Sequence, residues 1–155
     1  MRTNGEGRGM NDWTTITTAI GAALSGERVR GRRLLLDCWE ATTPTDHAHR
    51  CILAHYLADT ETELKQEIAW DEIALEEHGF LRDNDLAALG IPSTNGFQPS
   101  LHLNLADGYR RIGNTALAKM HLAKGQAALC MLEDDGYGKM ISAGLENLAQ
   151  RLAKT

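Results

Sequence analysis

An amphipathic pattern runs through the stretch from residue 101 to residue 112. Its apolar residues recur at helical spacing, at Leu101, Leu105, Ala106, Tyr109 and Ile112. Residues three, four and seven positions apart share one face of an α-helix, so this spacing predicts a helix. A Gly-Asn pair follows and can supply the left-handed backbone that ends a helix. A second apolar pattern then extends from about residue 115 to residue 132. Helices joined by so short a connection lie antiparallel, so the pattern predicts a helical hairpin.

Small residues stand where these two predicted helices must approach each other. Ala106 lies on the first helix, and Ala118 and Gly125 lie on the second. Two backbones approach closely only where the side chains between them are small. The hairpin is therefore expected to be tightly packed at these positions.

Two further hairpins are predicted before this one. In residues 13–39 a Ser-Gly-Glu break divides two helical patterns. When Gly26 of that break is aligned with Gly113, small residues fall at equivalent positions, namely Ala19, Gly31 and Cys38. In residues 49–79 a break at Asp59-Thr60 divides two more helical patterns. The chain is thus expected to contain three helical hairpins.

The remaining residues supply a connection and a closing helix. Residues 80–98 hold no long helical pattern and are expected to form an insertion that is mostly loop, with one short helix within residues 84–89. Residues 137–154 carry an apolar stripe that consists of Ile141, Leu145, Leu148 and Leu152. Such a stripe predicts a helix that packs one face on the domain and exposes the other.

The third hairpin resembles a tetratricopeptide repeat, a helix-turn-helix unit of about 34 residues. The positions that carry the resemblance are His102, Leu105, Ala106, Tyr109, Ala118, Leu122, Gly125 and Cys130. The resemblance implies one all-α domain over residues 12–155, in which about three antiparallel hairpins stack in a right-handed superhelix. The repeats would occupy residues 12–42, 46–79 and 99–132, with the insertion at 80–98 and a capping helix at 137–154. Residues 1–11 are expected to be a disordered N-terminal lead.

The composition narrows the class of protein. The chain has 155 residues, 43% of them apolar and 24% charged, which suits a globular domain with a core of its own. The net charge of −5 argues against a nucleic-acid partner, since such domains are usually basic. No apolar run approaches the length of a membrane span, and no signal-peptide core precedes the domain, so a cytoplasmic protein is expected. The three cysteines are too few and too scattered for a disulfide framework.

One cluster could carry metal chemistry. His47, Cys51 and His55 lie four residues apart and would fall near one face of a helix. Imidazole and thiolate suit zinc or copper, but the outer pair is separated by about 12 Å along a helix, so a single ion would need a further ligand such as His78 or His102. The alternative is that Cys51 packs in the core while the histidines cap the helix or face solvent. No metal and no other cofactor is expected.

No sequence feature indicates catalysis. The chain lacks a nucleophile elbow, a P-loop and a dinucleotide-binding fingerprint. The carboxylates of residues 67–77 recur on one predicted helix beside Lys65. This pattern is typical of a helix face that is exposed to solvent. The arginines of residues 28–33 could contact a charged partner, mediate self-association or simply face solvent. We therefore do not expect an enzyme.

The resemblance also implies a binding surface. In tetratricopeptide arrays the first helix of each repeat lines a concave groove that holds another protein or a peptide. The positions that correspond to this groove are Cys51, His55, Asp59, Leu103, Asn104, Asp107, Arg110 and Arg111. The groove is expected to be mixed in charge and to bind an extended or helical segment of a partner, with self-association possible. The alternative function is that of a metal- or small-molecule-responsive helical protein that uses His47, Cys51 and His55.

Overall fold

Seven α-helices make up most of the chain in the computed structural model, which describes residues 12–91 and 93–155. They are α1 (Trp13–Leu24), α2 (Arg28–Glu40), α3 (His47–Thr60), α4 (Leu64–His78), α5 (Gln98–Arg111), α6 (Thr115–Ala127) and α7 (Gly136–Ala153). Short 3₁₀ helices lie at Ala87–Leu89, Thr94–Phe97 and Leu129–Met131. These described residues contain no β-strand, which confirms the all-α class. The lead predicted at residues 1–11 lies outside the described residues.

Helices that are adjacent in sequence pack against each other along the chain. α1 packs on α2, α3 on α4 and α5 on α6, which are the three predicted pairs. The pairs are joined by contacts of α2 with α3 and of α4 with α5, and α1 also touches α3. α7 closes the other end by packing on both α5 and α6. Within the described residues no helix is long and apolar enough to cross a membrane.

Glycine ends two of the helical segments where the sequence predicted turns. Gly26 has φ of +91° and Gly113 has φ of +85°. Residues with a β-carbon rarely adopt this left-handed backbone, so glycine is favoured at both positions. Beyond the second turn the side chain of Asn114 accepts a hydrogen bond from the Leu117 amide and caps α6.

The small residues lie at close contacts between helices, as the sequence predicted. Ala106 and Ala118 are fully buried. A β-carbon on Gly31 would lie 2.4 Å from the backbone Cα of Ala23, so α1 and α2 could not keep their present distance. A β-carbon on Gly125 would lie 2.8 Å from a methyl group of Leu145 on α7. Gly125 therefore makes room for the closing helix as well as for its own hairpin partner.

Some predicted element boundaries were wrong. α6 ends at Ala127 instead of residue 132, and the chain turns through a 3₁₀ helix at Leu129–Met131. α3 continues through Thr60, so the break within the second hairpin falls after the predicted Asp59-Thr60 pair. The insertion contains the 3₁₀ helix Ala87–Leu89, which lies within residues 84–89 where one short helix was expected, and a second 3₁₀ helix at Thr94–Phe97 that was not predicted.

Three of the four arginines of α2 donate to oxygens within the chain. The guanidinium of Arg28 donates to the Thr60 carbonyl oxygen at 2.9 Å, and that of Arg32 donates to the Glu61 carboxylate at 2.6 Å. Arg30 pairs with Glu27 on the surface. Two of these arginines therefore tie α2 to the C-terminal end of α3.

Buried apolar side chains form two clusters. The first cluster contains residues of α1, α2, α3 and α4. It extends to the insertion and the start of α5, where Leu86, Phe97 and Leu101 are buried. The second joins α5, α6 and α7 and contains the whole predicted stripe of the closing helix, namely Ile141, Leu145, Leu148 and Leu152. The insertion thus belongs to the core of the first cluster.

The contact at Gly31 generates a stability prediction. Gly31→Ala places a methyl group against the backbone of Ala23, and we expect the free energy of unfolding to fall by about 1–3 kcal/mol. Gly21→Ala is the matched control, because Gly21 lies within α1 with no atom within 4 Å of its missing β-carbon. The control should be neutral or stabilising by about 0.5–1 kcal/mol. Urea unfolding of both variants measures the difference, and equal stability would show that the helices can separate at no cost.

Candidate functional site

A cavity of about 660 Å³ lies where α3, α5 and α7 come together. α3 lines it with Ile52, His55, Tyr56 and Asp59, which are spaced so that they share one face of the helix. α5 adds Ser100 and Asn104, one helical turn apart, and α7 adds Tyr137, Met140 and Ile141. Alternate helices of the chain therefore contribute side chains to a single concave site.

Two segments outside the α-helices supply the remaining walls. The insertion contributes Leu89, Gly90, Ile91, Ser93, Gly96 and Phe97. The connection between α6 and α7 contributes Met131, Leu132, Glu133 and Asp135. Neither wall was predicted from the sequence, because the insertion was expected to be mostly loop and the second helix of the third hairpin was expected to extend through residue 132. The groove expected from α3 and α5 is consequently deeper and more enclosed than an open helical surface.

Buried contacts hold the insertion in place. Leu86 is fully buried and Phe97 is 6% exposed. The His78 ring nitrogen Nε2 donates to the Thr94 carbonyl oxygen at 2.8 Å, and the Thr94 hydroxyl donates to the Arg82 carbonyl oxygen at 2.7 Å. The first bond links the insertion to the end of α4, and the second joins two parts of the insertion. The segment that lines the cavity is therefore held in place by the rest of the fold.

His55 and Asn104, two of the predicted groove residues, meet across the cavity. The side-chain nitrogen Nδ2 of Asn104 lies 3.4 Å from Nδ1 of His55. The His55 ring also packs edge-on against Tyr56 and Phe97, with ring centroids 5.0 Å apart in each case. Burial lowers the pKa of His55 to about 4, so the imidazole is neutral near pH 7 and its Nδ1 accepts a hydrogen bond from Asn104. The pair formed by His55 and Asn104 is thus polar but uncharged.

The other predicted groove residues divide into three groups. Asp59 lines the large cavity beside His55. Leu103 and Asp107 line a shallower depression of about 250 Å³ between α5 and α7, which Asn104 also borders. Arg110 and Arg111 line neither cavity, and each donates to the Asp107 carboxylate at 2.9 Å.

Cys51 was wrongly placed in the groove. Its side chain is fully buried, and its thiol contacts the Ala74 carbonyl oxygen of α4 at 3.3 Å. Burial raises the pKa of the Cys51 thiol to about 12, so the group stays protonated. Cys51 faces the partner helix of its own hairpin and is inaccessible to a molecule in the cavity.

The structure gives separate partners to the residues of the candidate metal cluster. Nδ1 of His47 lies 2.6 Å from the Glu77 carboxylate, Cys51 contacts α4, and His55 meets Asn104. His102 lies 3.1 Å from His121, Nδ1 to Nδ1, within the third hairpin. Across residues 12–91 and 93–155, no group of three or more His, Cys, Asp or Glu side chains is arranged to hold a metal ion.

A polar network that was not predicted from the sequence joins α4 to the third hairpin. The Tyr109 hydroxyl donates to the Glu72 carboxylate at 2.7 Å, and the Tyr109 ring stacks on His121. His121 in turn contacts His102, whose pKa is lowered to about 4, first by burial and then by the nearby His121. Because three helices contribute to this network, helical periodicity along one segment could not have identified it.

Asp71 is a buried carboxyl group on α4. It is 4% exposed, and its Oδ1 has no hydrogen-bond partner among the described residues. Burial, followed by the charges of Asp59 and Glu67, raises the pKa of Asp71 to about 8, while the nearby Arg111 opposes the shift. The carboxyl group is therefore mostly protonated at neutral pH.

Comparison of the chain with protein-family models, curated proteins and solved structures gives no match. The function must be inferred from the geometry of the chain itself.

Asp71 generates a prediction of pH-dependent stability. Its pKa in the folded chain, about 8, lies above the ordinary value of 3.8, so folding favours the protonated form and stability falls as the pH rises between these values. His55 and His102 act oppositely, because their lowered pKa values remove stability as the pH falls below 6.5. Between pH 6.5 and 8 we expect the Asp71 contribution to lower the free energy of unfolding by up to about 1.4 kcal/mol per pH unit.

The measurement is urea unfolding of wild type and Asp71→Asn at several pH values from 6.5 to 8. Asparagine resembles the protonated carboxyl group, so the variant should lose this pH dependence. Asp83→Asn removes an exposed carboxylate of the insertion and should retain it. Parallel curves for wild type and Asp71→Asn would contradict the assignment.

Proposed function

We propose that this chain is a non-enzymatic binding module, a tetratricopeptide-like stack of helical hairpins that holds a segment of another protein. The proposal combines the resemblance of the third hairpin with the order of helix contacts, in which each hairpin packs on the next. In such a stack, arranged as a right-handed superhelix, α3 and α5 are first helices of their repeats and α7 caps the array.

The cavity is the observation that carries this proposal. The two predicted first helices, α3 and α5, and the capping helix α7 all line it. Its volume of about 660 Å³ falls within the range of about 300–1,000 Å³ that is typical of binding pockets. Its wall is mainly apolar, and a few polar groups line it, among them His55 and Asn104, which are in contact with each other. This combination suits several consecutive side chains of a partner segment, with apolar contact giving affinity and polar contact giving orientation.

No observation favours the metal-responsive alternative to the same degree. His47, Cys51 and His55 each engage a different part of the chain. Arg28, Arg30 and Arg32 of α2 likewise donate to oxygens of the chain itself, which reduces what they offer to nucleic acid. We therefore assign the binding role to the cavity and propose a protein or peptide as its occupant.

The test compares two methionine variants that differ only in position. Met140 lines the cavity and is 62% exposed, whereas Met120 lies on α6, outside the cavity, and is 40% exposed. Met140→Trp should obstruct the cavity, and Met120→Trp should leave it open. In affinity capture from lysate of the native host, we expect a protein that wild type and Met120→Trp retain and Met140→Trp loses.

Circular dichroism establishes that both variants are folded before capture. A partner that all three proteins retain equally would place binding outside the cavity and overturn the proposal. A benzophenone amino acid in place of Met140 provides a second readout, because it should crosslink to the retained partner.

A further inference from the structure

The charged side chains on the wall of the large cavity have a single sign. Asp59, Glu133 and Asp135 line it, and among the described residues no Lys or Arg side chain does. The carboxylates that pair with arginine lie elsewhere, at Glu27, Glu61, Glu67, Glu77 and Asp107. The predicted groove was mixed in charge, but its arginines lie outside the cavity, which is therefore acidic.

The polar groups within the cavity do not cancel this charge. His55 is neutral near pH 7, because burial lowers its pKa to about 4. Asp135 accepts a hydrogen bond from the Gly138 amide and caps α7, but an amide donor leaves the carboxylate charge in place. The hydroxyl groups of Ser100 and Tyr137 bond to each other.

None of the three carboxylates has a positively charged partner. Within residues 12–91 and 93–155 no ion pair includes Asp59, Glu133 or Asp135. Reduced hydration, followed by the charge of Glu67, raises the pKa of Asp59. A cation beside Asp59 would favour its ionised form and oppose this shift.

Aromatic rings stand on the same wall. Tyr56 comes from α3, Phe97 from the insertion and Tyr137 from α7. The face of an aromatic ring attracts a cation, most strongly where water is excluded. Apolar side chains such as Ile91 and Met140 line the space around them and suit the hydrocarbon stem of a long basic residue.

We propose that the partner segment bound in this cavity presents a lysine or arginine side chain to Asp59 and Glu133, with apolar residues beside it. This assignment rests on the proposed function, since it specifies the chemistry of the segment that the cavity holds. Charge complementarity selects a basic segment over an acidic one, and the apolar wall selects one with flanking hydrophobic residues.

The test is selection of a displayed library of random heptapeptides on wild type and on two double variants. Asp59→Asn/Glu133→Gln neutralises the cavity. Asp83→Asn/Glu146→Gln makes the same chemical changes at exposed positions outside it. We expect peptides enriched on wild type and on the control to share a lysine or arginine next to apolar residues, and the neutralised cavity to lose that preference.

Fluorescence anisotropy of one enriched peptide gives the magnitude. Its dissociation constant should rise about tenfold in the neutralised cavity and stay unchanged in the control. Replacing the basic residue of the peptide by norleucine should weaken binding to wild type by a similar factor. Equal binding of the norleucine peptide, or enrichment of peptides without a basic residue, would overturn the charge assignment.

These outcomes separate this inference from the proposed function. If Met140→Trp releases the captured partner but the enriched peptides show no basic preference, the cavity binds a segment of different chemistry. If no peptide is enriched and Met140→Trp releases nothing, both proposals fail.

Discussion

The burial of Phe97 is the contact on which the candidate site depends. This residue ends the insertion immediately before α5, and its ring packs in the first core cluster and against His55 of α3. It therefore fixes the insertion, the start of α5 and the cavity-lining face of α3 relative to one another. α3 and α5 each pack on their own hairpin partners, and the Phe97 contact helps to add the insertion as a wall of the cavity between them.

The interior of the domain tolerates polar groups by keeping several of them uncharged. His55 and His102 are neutral because burial disfavours their protonated forms, and Asp71 is mostly protonated because burial disfavours its carboxylate. Charge is concentrated instead in exposed or partly buried ion pairs and on the cavity wall. The acidic groups of the cavity therefore have no neutralising partner, and the site is negatively charged.

Local features of the chain were predictable, because helical periodicity and turn chemistry act over a few residues. The stripe on α7 and the glycine turns at Gly26 and Gly113 needed no knowledge of other segments. The walls of the cavity were not predictable in this way, since Phe97 and Met131 acquire their roles from contacts with distant helices. Cys51 was misplaced for a related reason, because its groove position was inferred from the repeat pattern, whereas packing in its own hairpin buries it.

The early end of α6 makes the connection before α7 part of the cavity wall. Because α6 stops at Ala127, the chain that follows lines the cavity at Met131 and Glu133 before it enters α7. The connection and the closing helix α7 therefore both line the cavity. They are also the last part of the fold that the structure describes. Any molecule that binds only the assembled wall must shift the equilibrium between docked and detached α7 toward the docked state, by an amount set by its concentration and affinity. Occupancy would thus lower the population of molecules in which the final helix is detached.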